Sequence, residues 1–233
     1  MRVWTSVLVA GCCALAAPLA WSLPSGALTV PPAAGNTPQA AHDAAAVEVY
    51  NAGVKLLAQA DKLDSEAATR SGRAGASLEK RADAQYRAAR AKFKEATQKD
   101  MILAEAWNNL GYTRRKLGDY EAALDAYARA LALKPGYPQA LEYRGETYLK
   151  MHRLGDAKQA YMDLFVTDRA VAKHFLGEMK HWIATQTSAT GASAAAVKAF
   201  AKWVAKRSEI AAQTVALTRA GTATAWDHQR RGG

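Results

Sequence analysis

Between Ala104 and Tyr137 the apolar residues recur at helical spacing in two short runs. Trp107, Leu110, Gly111 and Arg114 fall at i, i+3, i+4 and i+7, one face of a helix. Gly111 removes a side chain where a following helix must approach closely, so this face is a packing face. On the second run Ala123, Tyr127 and Ala130 recur at four and three residues. They are small where helices touch and aromatic where a gap must be filled. Gly118 can take the left-handed conformation that ends the first helix, and Asp119 is a good N-cap for the second. Pro135 stops the second helix, with Lys134 favourably placed by the helix dipole. The pattern predicts two antiparallel helices joined by a tight turn.

Trp107, Leu110, Gly111, Ala123, Tyr127, Ala130 and Pro135 stand in this order at the spacings of a two-helix repeat, and the stretch resembles a tetratricopeptide repeat. One hairpin cannot bury its apolar face, so further copies are expected at a step of about 34 residues. Gly145, Ala157 and Tyr161 lie one such step after Gly111, Ala123 and Tyr127, with Leu164 in place of Ala130. Arg144 and Arg169 replace the usual Leu and Pro of this copy, which predicts that regular stacking ends near residue 169. Upstream, Ala89, Phe93 and Ala96 reproduce the second-helix signature. Their first helix is displaced to Val49–Leu57, with Gly53 as the close-contact glycine. The separation from Gly53 to Ala89 (89−53) exceeds that from Gly111 to Ala123 (123−111) by about two-thirds of a repeat, so this copy carries a large insertion in its turn.

The expected fold is therefore an all-α solenoid of about three repeats with C-terminal capping helices. The array spans 42–169: a first repeat over about 44–103 with an insertion at 61–81, then 104–137 and 138–169. The insertion mixes charges with Gly72 and Gly75 and reads as solvated helix extension or loop, or as a second binding element. Residues 170–219 are expected to form the caps. Val171, Phe175, Met179 and Trp182, with Leu176 and Ile183, make an amphipathic stripe suited to covering the last repeat. Thr187–Ser193 breaks it at Gly191. Ser193 then caps a longer helix to about Leu217, burying Val197, Phe200, Ala201, Val204 and Val215. Residues 220–233 lack periodicity and are expected to be a disordered tail.

Ahead of the array, Met1–Arg2 and the apolar run Val3–Ala20 read as an export signal over residues 1–27, with small residues for cleavage around Ala20 or Ala27. Two alternatives stay open: an uncleaved anchor, and bacterial lipidation at Cys12, which follows Val9-Ala10-Gly11. Residues 28–41, with Pro31, Pro32 and Pro38, form a linker. Cys12 and Cys13 are the only cysteines, so cleavage beyond them leaves a mature chain with no disulfide or thiol chemistry. The expected location is the periplasm or the periplasmic face of a membrane.

The chain carries a net charge of +10. Lys198, Lys202 and Lys206 form one basic stripe opposite the apolar face of the last helix, either a solvated face or a contact for an anionic membrane or acidic partner. Nucleic acid is not expected for an exported protein. No glycine-rich phosphate loop or dinucleotide fingerprint is present, and no cofactor is expected. His174, Glu178 and His181 share one edge of the first capping helix at a metal-compatible spacing. No third histidine is near, so no metal site is assigned. No catalytic set emerges.

The family resemblance implies protein–protein binding. In such repeats the first helices line a concave surface, and positions beside the packing stripe contact ligand peptides. Carried onto this sequence, those positions are Tyr50, Glu105, Asn108, Asn109, Tyr112, Arg115, Glu142 and Glu146. The resemblance implies that Asn108 and Asn109 hold a ligand backbone, Tyr112 stacks and Arg115 pairs with a carboxylate. The partner is thus a protein or peptide, with a membrane-surface role through the basic helix as the alternative and a metal-dependent enzyme as a third reading.

Overall fold

The computed structural model describes residues 42–186 and 193–231, with side chains described up to Thr214. The expectations for 1–41, including Cys12 and the linker, and for Gly191 and Val215, lie outside the described residues. Eight helices follow in order among the described residues: α1 (Ala44–Ala68), α2 (Gly72–Lys99), α3 (Ala104–Lys116), α4 (Tyr120–Leu133), α5 (Pro138–Lys150), α6 (Leu154–Thr167), α7 (Arg169–Thr185) and α8 (Ala194–Arg231). They stack as successive antiparallel hairpins.

One packing solution recurs. Ala89, Phe93 and Ala96, Ala123, Tyr127 and Ala130, and Ala157, Tyr161 and Leu164 are all essentially inaccessible to solvent. In the first two hairpins the aromatic ring, Phe93 or Tyr127, fills the space that a glycine leaves open. A Cβ at Gly53 would lie 2.7 Å from the Phe93 ring, and one at Gly111 2.6 Å from Tyr127. In the third hairpin the ring over Gly145 comes from the next helix, as Phe175 of α7. Phe175 stands one repeat step after Leu141, which itself stands one step after Trp107. The stacking thus does not end at residue 169, as the missing Pro suggested, because α7 docks in the place of a further first helix. Asp168 starts it cleanly by accepting the Ala170 and Val171 amides at 2.9 and 3.0 Å.

Of the readings of the 61–81 insertion, helix extension is the one found: α1 and α2 run on as helices of 25 and 28 residues joined at Thr69–Ser71. Small residues at seven-residue steps make the seam, with Ala46, Gly53, Ala60 and Ala67 on α1 and Gly75, Ala82, Ala89 and Ala96 on α2, all buried. Two such helices pack closely along their whole length, and their far half overhangs the rest of the stack.

The turns between the helices of the second and third hairpins show the same backbone. Gly118 is left-handed, at φ 79°, and His152, at the same place one repeat on, holds φ 57° without being glycine. Asp119 occupies the N-cap of α4 but its side chain makes no capping hydrogen bond. At the C-terminal end α8 buries Phe200 and Val204, with Trp203 partly buried, against Tyr161 and Trp182. Its backbone stays helical to Arg231, which corrects the expectation of a disordered tail from 220 to 231. That stretch holds no Pro, and one glycine, Gly221, costs only about 1 kcal/mol in a helix.

Candidate functional site

The first helices α1, α3, α5 and α7 are tied to one another by a row of polar contacts. The Asn109 side-chain amide on α3 donates to the Tyr50 hydroxyl on α1 at 3.2 Å. One carboxylate oxygen of Asp61 on α1 accepts from the hydroxyls of Tyr86 on α2 and Tyr112 on α3, at 2.7 and 2.9 Å. Arg115 on α3 pairs with Glu146 on α5 at 2.8 Å and lies over the rings of Tyr112 and Tyr143. Glu142 on α5 pairs with His174 on α7 at 2.6 Å.

Burial sets the electrostatics of this row. It raises the tyrosine hydroxyls of Tyr86 and Tyr112, and the charge of Asp61 adds to it. Burial also lifts the Glu146 carboxyl above its usual range, with Arg115 pulling the other way. For Arg115, burial alone would weaken the cation, but Glu146, Tyr127 and Tyr112 together outweigh it and the guanidinium is held more firmly protonated. The Tyr127 hydroxyl lies beside Arg115 and feels its charge, yet neither it nor Arg115 Nε completes a well-formed hydrogen bond. His174 is held protonated to higher pH by its hydrogen bond to Glu142.

These contacts relocate the expected binding residues. Asn108 is only 3% exposed and donates to the Asn109 side chain at 3.2 Å. Glu142, at the same position of the next repeat, is 8% exposed. Both face inward because first helices stand side by side along the concave surface, so a position one step from the Trp107 face meets a neighbouring helix instead of solvent. Tyr50, Asn109, Tyr112, Arg115 and Glu146 spend their polar atoms inside the stack, and Glu105 pairs with Lys134 at 3.3 Å. Each residue of the expected ligand row therefore also has a partner within the stack, and Asn108 and Glu142 are buried there.

Open space lies one to two turns further along. A cleft of about 610 Å³ sits at the C-terminal ends of α3 and α5. Its floor is Arg115, Lys116, Tyr120, Glu146, Leu149 and Lys150. One wall is the α1–α2 overhang, through Asp64, Asp83 and Tyr86, and the other is α7, through Glu178, His181, Trp182 and Thr185. Lys116 is tied to Asp64 across the floor. Lys150 and His181 are exposed, and neither has a hydrogen-bond or ion-pair partner among the described residues. Of the residues weighed from sequence as partner- or metal-binding, Arg115, Glu146, Glu178 and His181 reach this cleft. His174, Glu178 and His181 do not converge, and no three potential metal ligands do so among the described residues.

A stack of helical hairpins holding a polar cleft between helix ends is the architecture of a repeat scaffold that binds other molecules across several helices at once. Residues 104–137 match the tetratricopeptide repeat family. That stretch is a tetratricopeptide repeat, and repeats of this family generally mediate protein–protein interaction. No curated protein matches the chain.

Proposed function

We propose that the protein is an exported bacterial scaffold or assembly factor of the cell envelope, acting by binding and not by catalysis. It holds a peptide or protein segment in the cleft between the α1–α2 overhang and α7. The observation that carries this reading is the cleft itself, where residues of six helices meet and the exposed Lys150 and His181 keep polar atoms free of internal partners. The apolar run Val3–Ala20 after Arg2 supports export to the periplasm or the periplasmic face of a membrane. So small a cleft supports micromolar affinity, on the order of −8 kcal/mol.

A photoreactive amino acid at Tyr120, inside the cleft, tests this in the native host against the same group at Arg129 on the outer face of α4. The expected outcome is one defined adduct from Tyr120 that is lost with Lys150→Glu, and none from Arg129. Equal labelling from both positions, or no adduct from Tyr120, overturns the reading.

A further inference from the structure

The α2–α3, α4–α5 and α6–α7 turns lie on the edge of the stack opposite the cleft, because consecutive helices alternate in direction. Contacts run along this edge without a gap. Lys134 in the second turn pairs with Glu105 at the start of α3, and a Cβ on Gly136 would meet Thr167 at the end of α6 at 3.4 Å. The Trp107 indole also donates to the Met101 carbonyl at 2.9 Å.

Five large apolar residues are exposed among the described residues, and four of them sit here: Met101 at 74%, Ile102, Leu133 and Val166 at 82%, the fifth being Val54 on α1. Each turn also carries an exposed cation, as Lys99, Lys134 and Arg169. Apolar tips flanked by Lys and Arg suit the boundary between lipid headgroups and acyl chains, where the apolar tips insert and the cations meet anionic phosphates. Spread over three successive turns, these tips form a row and not one continuous groove.

A second observation points the same way. The chain enters the fold at this edge: His42 Nδ1 lies 2.7 Å from Asp100, and the Asp43 amide reaches the same carboxylate oxygen at 3.3 Å. Burial alone would raise the Asp100 carboxyl, but His42 and the Ile102 and Asp43 amides hold it below its usual value. The sequence that precedes His42, in which Val3–Ala20 is the apolar run, is therefore continuous with the fold at this edge. No described helix is long and apolar enough to cross a membrane.

We infer that the edge formed by the α2–α3, α4–α5 and α6–α7 turns docks on an anionic phospholipid bilayer through Met101, Ile102, Leu133 and Val166 with Lys99, Lys134 and Arg169. The cleft then opens away from the bilayer, separated from it by the length of a 13-residue helix, about 20 Å.

The test uses the full chain with Cys12→Ser and Cys13→Ser and one environment-sensitive fluorophore, attached at Met101→Cys, Val166→Cys or Lys150→Cys. Vesicles contain phosphatidylcholine with or without phosphatidylglycerol. The expected result is a blue shift at positions 101 and 166 with anionic vesicles alone, weakened by salt and by Lys99→Glu with Arg169→Glu, and no shift at 150. No shift at 101 and 166, an equal shift with neutral vesicles, or a shift at 150 overturns the inference. So does a shift without vesicles that grows with protein concentration, which would make the edge an interface between two copies. Loss of the shift on Lys198→Glu, Lys202→Glu and Lys206→Glu, with none on reversal of the edge cations, would move the contact to α8.

Discussion

The two edges of the stack are built from the same repeats and differ in what the turns carry. At the edge where α3 meets α4 and α5 meets α6, helix ends bring paired charges together beneath two walls, and the cleft results. At the other edge the turns leave apolar side chains in solvent beside single cations. The packing residues explain neither difference, because Ala, Gly and aromatic positions are common to every hairpin. A repeat signature fixes where the helices lie. The residues between signature positions decide what each edge offers.

The comparison depends first on the shared core, which a single change can remove from both edges. Tyr127 is fully buried against Gly111, and Tyr127→Ala should cost about 3–5 kcal/mol. In a nearest-neighbour stack that loss loosens both adjoining hairpins, and urea unfolding followed by circular dichroism would show it. Asp61→Ala should act on the cleft edge, since it leaves the Tyr86 and Tyr112 hydroxyls without their acceptor where the overhang joins α3. A loss of about 2 kcal/mol is expected, with no change in the vesicle response of the opposite edge.

A pH effect is expected on the concave row. His174 titrates above its ordinary value of 6.5 in the folded state because of Glu142. Its contribution to stability is present in full below pH 6.5 and is lost as pH rises through the folded value. Thermal melts should therefore fall across that window in the wild type and stay level there in His174→Gln. The smallest effect concerns the turn between α5 and α6. A left-handed non-glycine residue costs about 1–2 kcal/mol, but the His152 ring also packs edge-on against Trp182, with centroids 5.6 Å apart, a contact worth about 0.5–1.5 kcal/mol. His152→Gly should thus change stability by less than about 1 kcal/mol. In a Trp182→Ala background, where the contact is already gone, the same substitution should stabilise by about 1 kcal/mol.

The helices and packing of the middle hairpin were legible in the sequence, since Gly111, Gly118, Tyr127 and Pro135 each leave a distinct physical mark, whereas the Asp119 cap was not realised. The copies at Phe93 and Tyr161 followed by counting. The charged residues of the overhang are compatible with either helix extension or loop, and do not decide between them. The alanines at 46, 60, 67, 82, 89 and 96, with Gly53 and Gly75 in the same seven-residue steps, recorded the helix seam all along. Arg169 in place of Pro suggested an end to the stacking, yet Phe175 at the Trp107 position was the better guide. The binding row was the hardest to place. A helical wheel shows that Asn108 and Glu142 leave the packing stripe, but not that another first helix stands beside them. The cleft residues Lys116, Tyr120 and Lys150 carry no spacing signal, because their proximity to Asp64 and His181 exists only once the hairpins are stacked.

The concave row of first-helix residues, including Arg115 and Glu146 where it reaches the cleft floor, holds the fold together. A double-mutant cycle on Arg115 and Glu146, measured by denaturant unfolding of the protein with no partner added, tests this most directly. Their side chains are 11% and 17% exposed at 2.8 Å separation. Breaking so buried a pair should cost about 3 kcal/mol for either single change, with little added by the second. Additive losses, or single changes costing less than about 0.5 kcal/mol, would show the row to be free for ligand and would contradict the account.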